Sequence, residues 1–120
     1  AGVVTLKELA RTPIYERLEA KGASLADGLC AAAAQAGVPV QINRVGSMLT
    51  LFFRDGPVRC FEEARQADVK RFSVFANGLR DRGVLIPPSP FETWCVSAAH
   101  TRALVQDVIA QAAEALEACS

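Results

Sequence analysis

A chain of 120 residues, 51% hydrophobic and 22% charged, describes one ordinary globular domain, with enough side chains for a core and too few for two. Thirteen basic residues balance thirteen acidic ones, which argues against a nucleic-acid binder or a binder of acidic membranes, since both usually carry a basic excess. No apolar run approaches the ~18–20 residues of a membrane span and no basic start leads into an apolar signal core, so a cytoplasmic chain is expected.

The chain opens "AGVVTLKELA", without Met or a capping residue, yet already helix-like, with Val3, Val4, Leu6 and Leu9 as an abrupt apolar set. It reads as a cut through a longer chain. Ile14, Leu18, Leu25, Leu29 and Ala32 then lie at helical spacings and predict one buried stripe, with Pro13 suited to the first turn. Gly22 and Gly28 interrupt that stripe, each at a cost of about 1 kcal/mol relative to Ala, which predicts close packing against another backbone. "AAAAQAG" ends the helix, with Gly37 as a left-handed cap and Pro39 preventing continuation.

Val38, Val40 and Ile42 alternate with Pro39, Gln41 and Asn43, the period of a strand with one covered face. Gly46 and Ser47 break the run, and Met48 to Phe53 forms a second, nearly continuous apolar strand closed by the turn signal Asp55-Gly56-Pro57. Phe72, Phe75, Ala76 and Leu79 mark an amphipathic helix with Asp68 as its N-cap, stopping near Gly83. "VLIPP" and "TWCVSA" read as two further short strands with "SPFE" between them. A last helix runs from Thr101, with Leu104, Val105, Val108, Ile109, Ala112 and Leu116 on one face. The order α-β-β-α-β-β-α predicts an α+β domain: a small, largely antiparallel sheet with helices packed on one face.

Little in this sequence supports chemistry of its own. There is no glycine-rich phosphate loop. Lys7, Lys21 and Lys70 all sit in polar helix-surface contexts, unlike a lysine desolvated for covalent catalysis. Cys30, Cys60, Cys95 and Cys119 are widely and irregularly spaced beside one histidine, so they read as reduced thiols and not as zinc ligands, nucleophiles or a disulfide framework. His100 reads as a hydrogen-bonded structural residue, Arg44 as an exposed or ion-paired strand arginine, and Met48, Phe52 and Phe53 as core. Glu92 stands apart. It is the one formal charge in "PPSPFETWCVSAAH", and a buried carboxylate there would cost several kcal/mol unless paired, hydrogen-bonded or wet. It should either brace its loop through backbone N–H groups or be presented at a sheet edge to a ligand held elsewhere.

Several stretches taken together resemble the glutamate-1-semialdehyde 2,1-aminomutase family of class III pyridoxal-phosphate enzymes. They are "TLKELARTPIYERLEAKGASLADGL", "GVPVQINRVGSMLTLFF-RDGPV", "FEEARQADVKRF", "GVLIPPSPFETWCVSAAHT" and the closing helix. They run in order along almost the whole chain and correspond to that family's carboxy-terminal small domain. The resemblance implies that residues 1–12 end a helix leading in from a missing large domain, and that residues 13–120 form the C-terminal small domain of a fold-type-I enzyme. It implies a homodimeric, cytoplasmic parent that converts glutamate 1-semialdehyde to 5-aminolevulinate for tetrapyrrole synthesis, with pyridoxal phosphate or pyridoxamine phosphate as cofactor. The cofactor lysine and phosphate-binding groups of the family lie upstream, so the fragment is expected to bind no cofactor and to be inactive alone. Its partners would be the large domain, a second parent subunit and a small-molecule substrate.

By the same resemblance Glu92 falls on the family's carboxylate in "PSxFE", which approaches cofactor and substrate from the small domain. Related aminotransferases place an arginine in that region for a substrate carboxylate. A glutamate there would disfavour an α-carboxylate and tolerate an amino group. Two positions depart from the family: Arg102 replaces a frequently acidic residue in the first turn of the last helix, and Trp94 replaces a smaller one, where packing is the expected role. The alternatives are the small domain of another class III aminotransferase and a stand-alone α+β binding or dimerisation module without chemistry. Self-association of the fragment is expected, through apolar surface that the large domain would otherwise cover.

Overall fold

A computed structural model of the chain describes residues 1–119. In chain order its elements are α1 (Gly2–Arg11), α2 (Ile14–Gln35), β1 (Gln41–Val45), β2 (Met48–Phe52), α3 (Phe61–Ala64), α4 (Val69–Asp81), β3 (Trp94–Cys95) and α5 (Arg102–Glu117). The three strands form one antiparallel sheet in the order β1-β2-β3, with Val45 opposite Met48, Gln41 opposite Phe52 and Met48 opposite Cys95.

The local signals account for most boundaries. Gly37 takes φ +67°, while the N–H of Val38 reaches back to the Ala33 carbonyl at 2.9 Å, so α2 closes on a left-handed glycine. Gly46, at φ +60°, opens the two-residue turn between β1 and β2, a position that suits glycine because the turn's twist then matches the strands'. Asp68 caps α4 by accepting the Arg71 N–H at 2.9 Å, and Thr101 caps α5 by accepting the Leu104 N–H at 3.1 Å.

Alternation along β2 divides its side chains between two clusters. Leu49 and Leu51, with Phe53 just beyond the strand, point toward α2, α4 and α5 and join Leu25, Leu29, Phe72 and Leu116 in the main core. Phe75 sets its edge against Phe53 at 5.4 Å between centroids and stacks on Trp94 at 6.5 Å. Each of these large side chains contributes about 1.5–3 kcal/mol through burial. Phe52 faces the other way and packs with Val58, Ala64 and Ala67, where residues 58–67 and α3 fold over that end of the sheet. Toward the turn the same outer face is open, and Met48 is 49% exposed. Phe52 and Phe53 are therefore both core, on opposite faces.

The two glycines inside α2 are close-packing sites. A Cβ on Gly22 would stand 2.3 Å from the Gly46 carbonyl oxygen, so the helix rests directly on the backbone of the β1–β2 turn. A Cβ on Gly28 would meet Ile109 Cδ1 of α5 at 2.4 Å, so there the neighbour is a side chain and not the expected backbone.

The α+β class, the antiparallel sheet and the covered face are as the sequence predicts, but one strand of the predicted order is missing. "VLIPP" is extended with Val84 and Ile86 turned toward the core, yet it joins no ladder. The Val84 N–H is used by the Leu79 carbonyl at the end of α4, and Pro87 and Pro88 have no N–H to offer. The first strand also starts later than the alternation of Val38 and Val40 suggests. Its partner β2 runs out opposite Gln41, and the next carbonyl, that of Phe53, accepts the N–H of Asp68 at 2.8 Å. "TWCVSA" contributes a two-residue strand, continued by one bond from the Val96 N–H to the Ser47 carbonyl at 2.9 Å. The single-turn helix α3 has no counterpart in the predicted order. No residue of α1 is buried, and Val3, Val4 and Leu6 are 68%, 71% and 67% exposed.

Candidate functional site

Glu92 lies in the connection from α4 to β3, at the end of a tight turn. The turn is built by Ser89, whose carbonyl accepts the Glu92 N–H at 3.2 Å and whose Oγ accepts the Phe91 N–H at 3.2 Å. Thr50, on the outward face of β2, places its Oγ1 at 3.5 Å from the Glu92 carbonyl. Pro90 is buried, and the Phe91 ring lies against that of Phe61, the first residue of α3, at 6.0 Å between centroids and 57° between planes. Both rings remain largely open, Phe61 at 63% and Phe91 at 46% exposure.

The Glu92 side chain itself is exposed and makes no hydrogen bond or ion pair among the described residues. Its backbone is held from both sides while its carboxylate is left free. Of the two roles open to it, bracing the loop through its carboxylate is not the one observed. The charge is exposed beside the outer face of the sheet, near a shallow depression of about 200 Å³ whose polar lining includes Asn43, Arg44, Thr50 and Thr93.

The other candidates have structural employment. Arg44 crosses from β1 to pair with Glu19 of α2 at 2.7 Å and donates to the Gly46 carbonyl at 2.7 Å, so it ties the turn to the helix. His100 Nδ1 accepts the Ser97 N–H at 2.9 Å and lies 2.9 Å from Ser97 Oγ, which leaves the ring proton on Nε2. That ring borders an apolar groove of about 200 Å³ between the 84–87 segment and α5, floored by Trp94 and Val96. Trp94 is buried, in the packing role expected of it. Arg102 is exposed at the start of α5, near Lys21.

The thiols are unremarkable as nucleophiles. Burial is the main cause that pushes Cys119 upward, with Arg71 opposing it, and Cys119 Sγ donates to the Ala115 carbonyl at 3.1 Å. Desolvation first and Asp27 second push Cys30 upward. A raised thiol is a poorer thiolate, the reverse of what catalysis needs. Among the described residues no group of three or more His, Cys, Asp or Glu could hold a metal ion, and no helix is long and apolar enough to cross a membrane.

What sequence reasoning missed is the scaffold around Glu92. Ser89, Thr50 and Phe61 come from three separate parts of the chain. Only the "SP" dipeptide carried a local signal, as a turn former.

No protein-family model matches the chain. It is 52% identical over 116 residues to the glutamate-1-semialdehyde 2,1-aminomutase of Desulfatibacillum aliphaticivorans, a match that covers 97% of this chain and 27% of that protein. It is 44% identical over 117 residues to glutamate-1-semialdehyde 2,1-aminomutase 2 of Brevibacillus brevis, covering 98% of this chain and 27% of that protein. The chain thus spans about a quarter of the length of the curated relatives it matches.

Among solved structures, it superposes on the PLP internal aldimine form of FumI from Sphingopyxis sp. MTA144 with a TM-score of 0.78 at 26% identity, over 97% of this chain and 25% of that one. A glutamate-1-semialdehyde-aminomutase from Pseudomonas aeruginosa PAO1 in complex with PMP gives 0.68 at 23% identity, over 88% and 22%, a likeness of fold.

The residues present do not fit a pyridoxal cofactor. Such a cofactor needs a lysine in a desolvated setting and a cradle of donors for its phosphate. Lys7 and Lys70 are exposed on helices, and Lys21 donates to the Ala98 carbonyl at 2.8 Å beside Arg102. No lysine borders the apolar groove.

Proposed function

From a sequence that is a segment of the glutamate-1-semialdehyde 2,1-aminomutase family, we propose that this chain is the carboxy-terminal small domain of such an enzyme. The reaction of the whole enzyme would be conversion of glutamate 1-semialdehyde to 5-aminolevulinate in tetrapyrrole synthesis, in a cytoplasmic homodimer. Pyridoxal phosphate or pyridoxamine phosphate would be held by residues outside these 120, and the 120 residues alone would be inert. The small domain's contribution is the Glu92 carboxylate, turned toward the substrate as an electrostatic selector.

The observation that carries this reading is the state of Glu92: a backbone fixed on both sides and a carboxylate with no partner. A negative charge offered in this way favours an amino group on the substrate and opposes an α-carboxylate. The effect grows as water is excluded. Two unit charges ~4 Å apart interact by about 1 kcal/mol in water and by about 4 kcal/mol at an effective dielectric of ~20. At about 1.4 kcal/mol per factor of ten, that spans roughly fivefold to several-hundredfold discrimination.

The test is Glu92→Gln in the full-length enzyme, with turnover of glutamate 1-semialdehyde compared with reaction of glutamate, where a carboxylate stands in place of the aldehyde. A loss of discrimination of about tenfold or more is expected. Unchanged turnover and unchanged preference would remove Glu92 from the chemistry.

A further inference from the structure

Fixing a surface turn costs backbone entropy, and a turn whose only charged side chain has no partner gains nothing from that charge in return. Yet the turn carrying Glu92 is restrained at every level available to it. Pro87, Pro88 and Pro90 limit the unfolded segment before folding begins. Ser89 then holds the N–H of Phe91 through its Oγ and the N–H of Glu92 through its carbonyl, both at 3.2 Å. Thr50 approaches the Glu92 carbonyl, and Phe61 reaches across from α3 to clip the Phe91 ring. The clip does little for the core, since both rings stay exposed and Phe61 belongs to neither buried cluster.

We propose that Ser89 and Phe61 are positioning residues, which act by fixing the backbone from which the Glu92 carboxylate is presented. This rests on the reading of Glu92 as the substrate-facing selector. Electrostatic discrimination falls when the charge can swing away, so loosening the turn should cost selectivity before it costs stability.

The experiment uses the full-length enzyme and reads the ratio of kcat/KM for glutamate 1-semialdehyde to that for glutamate, together with Tm. Ser89→Ala removes the acceptor for the Phe91 N–H, and Phe61→Leu removes the aromatic clip. Each is expected to lower the ratio about three- to tenfold with little change in Tm, in keeping with the loss of one modest contact. Ser89→Thr, which keeps the hydroxyl, should return the ratio to within about twofold of the parent, as one retained hydrogen bond would. Because the two residues act through Glu92, Ser89→Ala should have no further effect on the ratio in a Glu92→Gln background.

If Glu92→Gln lowers the ratio while Ser89→Ala and Phe61→Leu leave it unchanged, the positioning role is wrong and the selector survives. A fall caused by Ser89→Ala that persists undiminished beside Glu92→Gln also overturns it. If Glu92→Gln itself changes nothing, both readings fall together. Should Ser89→Ala fail to fold, Phe61→Leu decides alone, because its side chain lies at the surface.

Discussion

Replacing Gly22 by Ala sets two well-defined effects against each other. Glycine in a helix interior is about 1 kcal/mol worse than alanine, so propensity alone would make the substitution stabilising. The added Cβ, however, would sit 2.3 Å from the Gly46 carbonyl oxygen and 3.1 Å from Ser47 Cα. An unstrained carbon–oxygen contact is about 3.3 Å or more, so α2 and the β1–β2 turn must separate by roughly 1 Å. Neither side can yield cheaply, because both contacts are main chain. The same Gly46 oxygen accepts Arg44 Nη1 at 2.7 Å, so the shift also disturbs the link between turn and helix. Overpacking costs about 1–3 kcal/mol, and full loss of a hydrogen bond to a charged group would add about 1.5–3 kcal/mol. With that bond strained and not lost, and offset by the helical gain, the expected net loss is about 2 kcal/mol, or roughly 6–12 °C in Tm for a domain of this size. Gly28→Ala is the comparison: its obstacle is Ile109 Cδ1 at 2.4 Å, a side-chain tip, so pairing it with Ile109→Ala should recover most of the local strain. Urea denaturation of the three variants is the assay. A Gly22→Ala chain as stable as the parent, or more so, would refute the assignment of this glycine to close backbone packing.

The remaining predictions concern caps, thiols and the exposed helix. Asp68→Ala and Thr101→Ala should each lower stability by about 1 kcal/mol in the same urea assay, since each removes a side-chain acceptor from a helix N-terminus. Cys119 holds its proton in the folded chain beyond the ordinary value of 9.0, chiefly through burial. The unfolded chain releases that proton first, so stability is intact below about pH 9 and declines as pH rises past it. Cys119→Ala should flatten the alkaline limb of a urea midpoint measured against pH, and in thiol labelling exposed Cys60 and Cys95 should react before buried Cys119. Val3, Val4 and Leu6 line an unburied face of α1, so the 120-residue chain should self-associate in sedimentation, and Val3→Asp with Leu6→Asp should return it to monomer.

The parts of the fold legible in the sequence are those decided locally. Gly37 closing α2, Gly46 in the hairpin and the caps Asp68 and Thr101 each depend on a few neighbouring residues, and all stand where their residue types put them. The misreadings arise where partners are distant. Val84 and Ile86 alternate inward with exposed Leu85 as a strand's residues do, but alternation reports only an extended backbone on an apolar surface. Whether a ladder forms depends on free N–H groups and a vacant edge, and prolines together with the end of α4 remove the first. The stripe on α2 shows the same limit. Leu25, Leu29 and Ala32 are buried, while Ile14 and Leu18 are only half covered, because their helical period does not reveal where the sheet beneath them ends.

Glu92 marks where composition stops being informative. A carboxylate among prolines and aromatics has to be paired, hydrogen-bonded or wet, and here it is wet. Wetness alone would fit any surface glutamate, and a surface glutamate needs no ordered support. The distinction comes from the contrast between a free side chain and a backbone bonded through Ser89 and approached by Thr50, beside a ring clipped by Phe61. None of those contacts involves the carboxylate, so the turn is ordered without any contribution from the charge. On the selector reading proposed above, that order fixes the place from which the charge is presented. That reading places its demand on the full-length enzyme, where the ratio of semialdehyde to glutamate reactivity tests it.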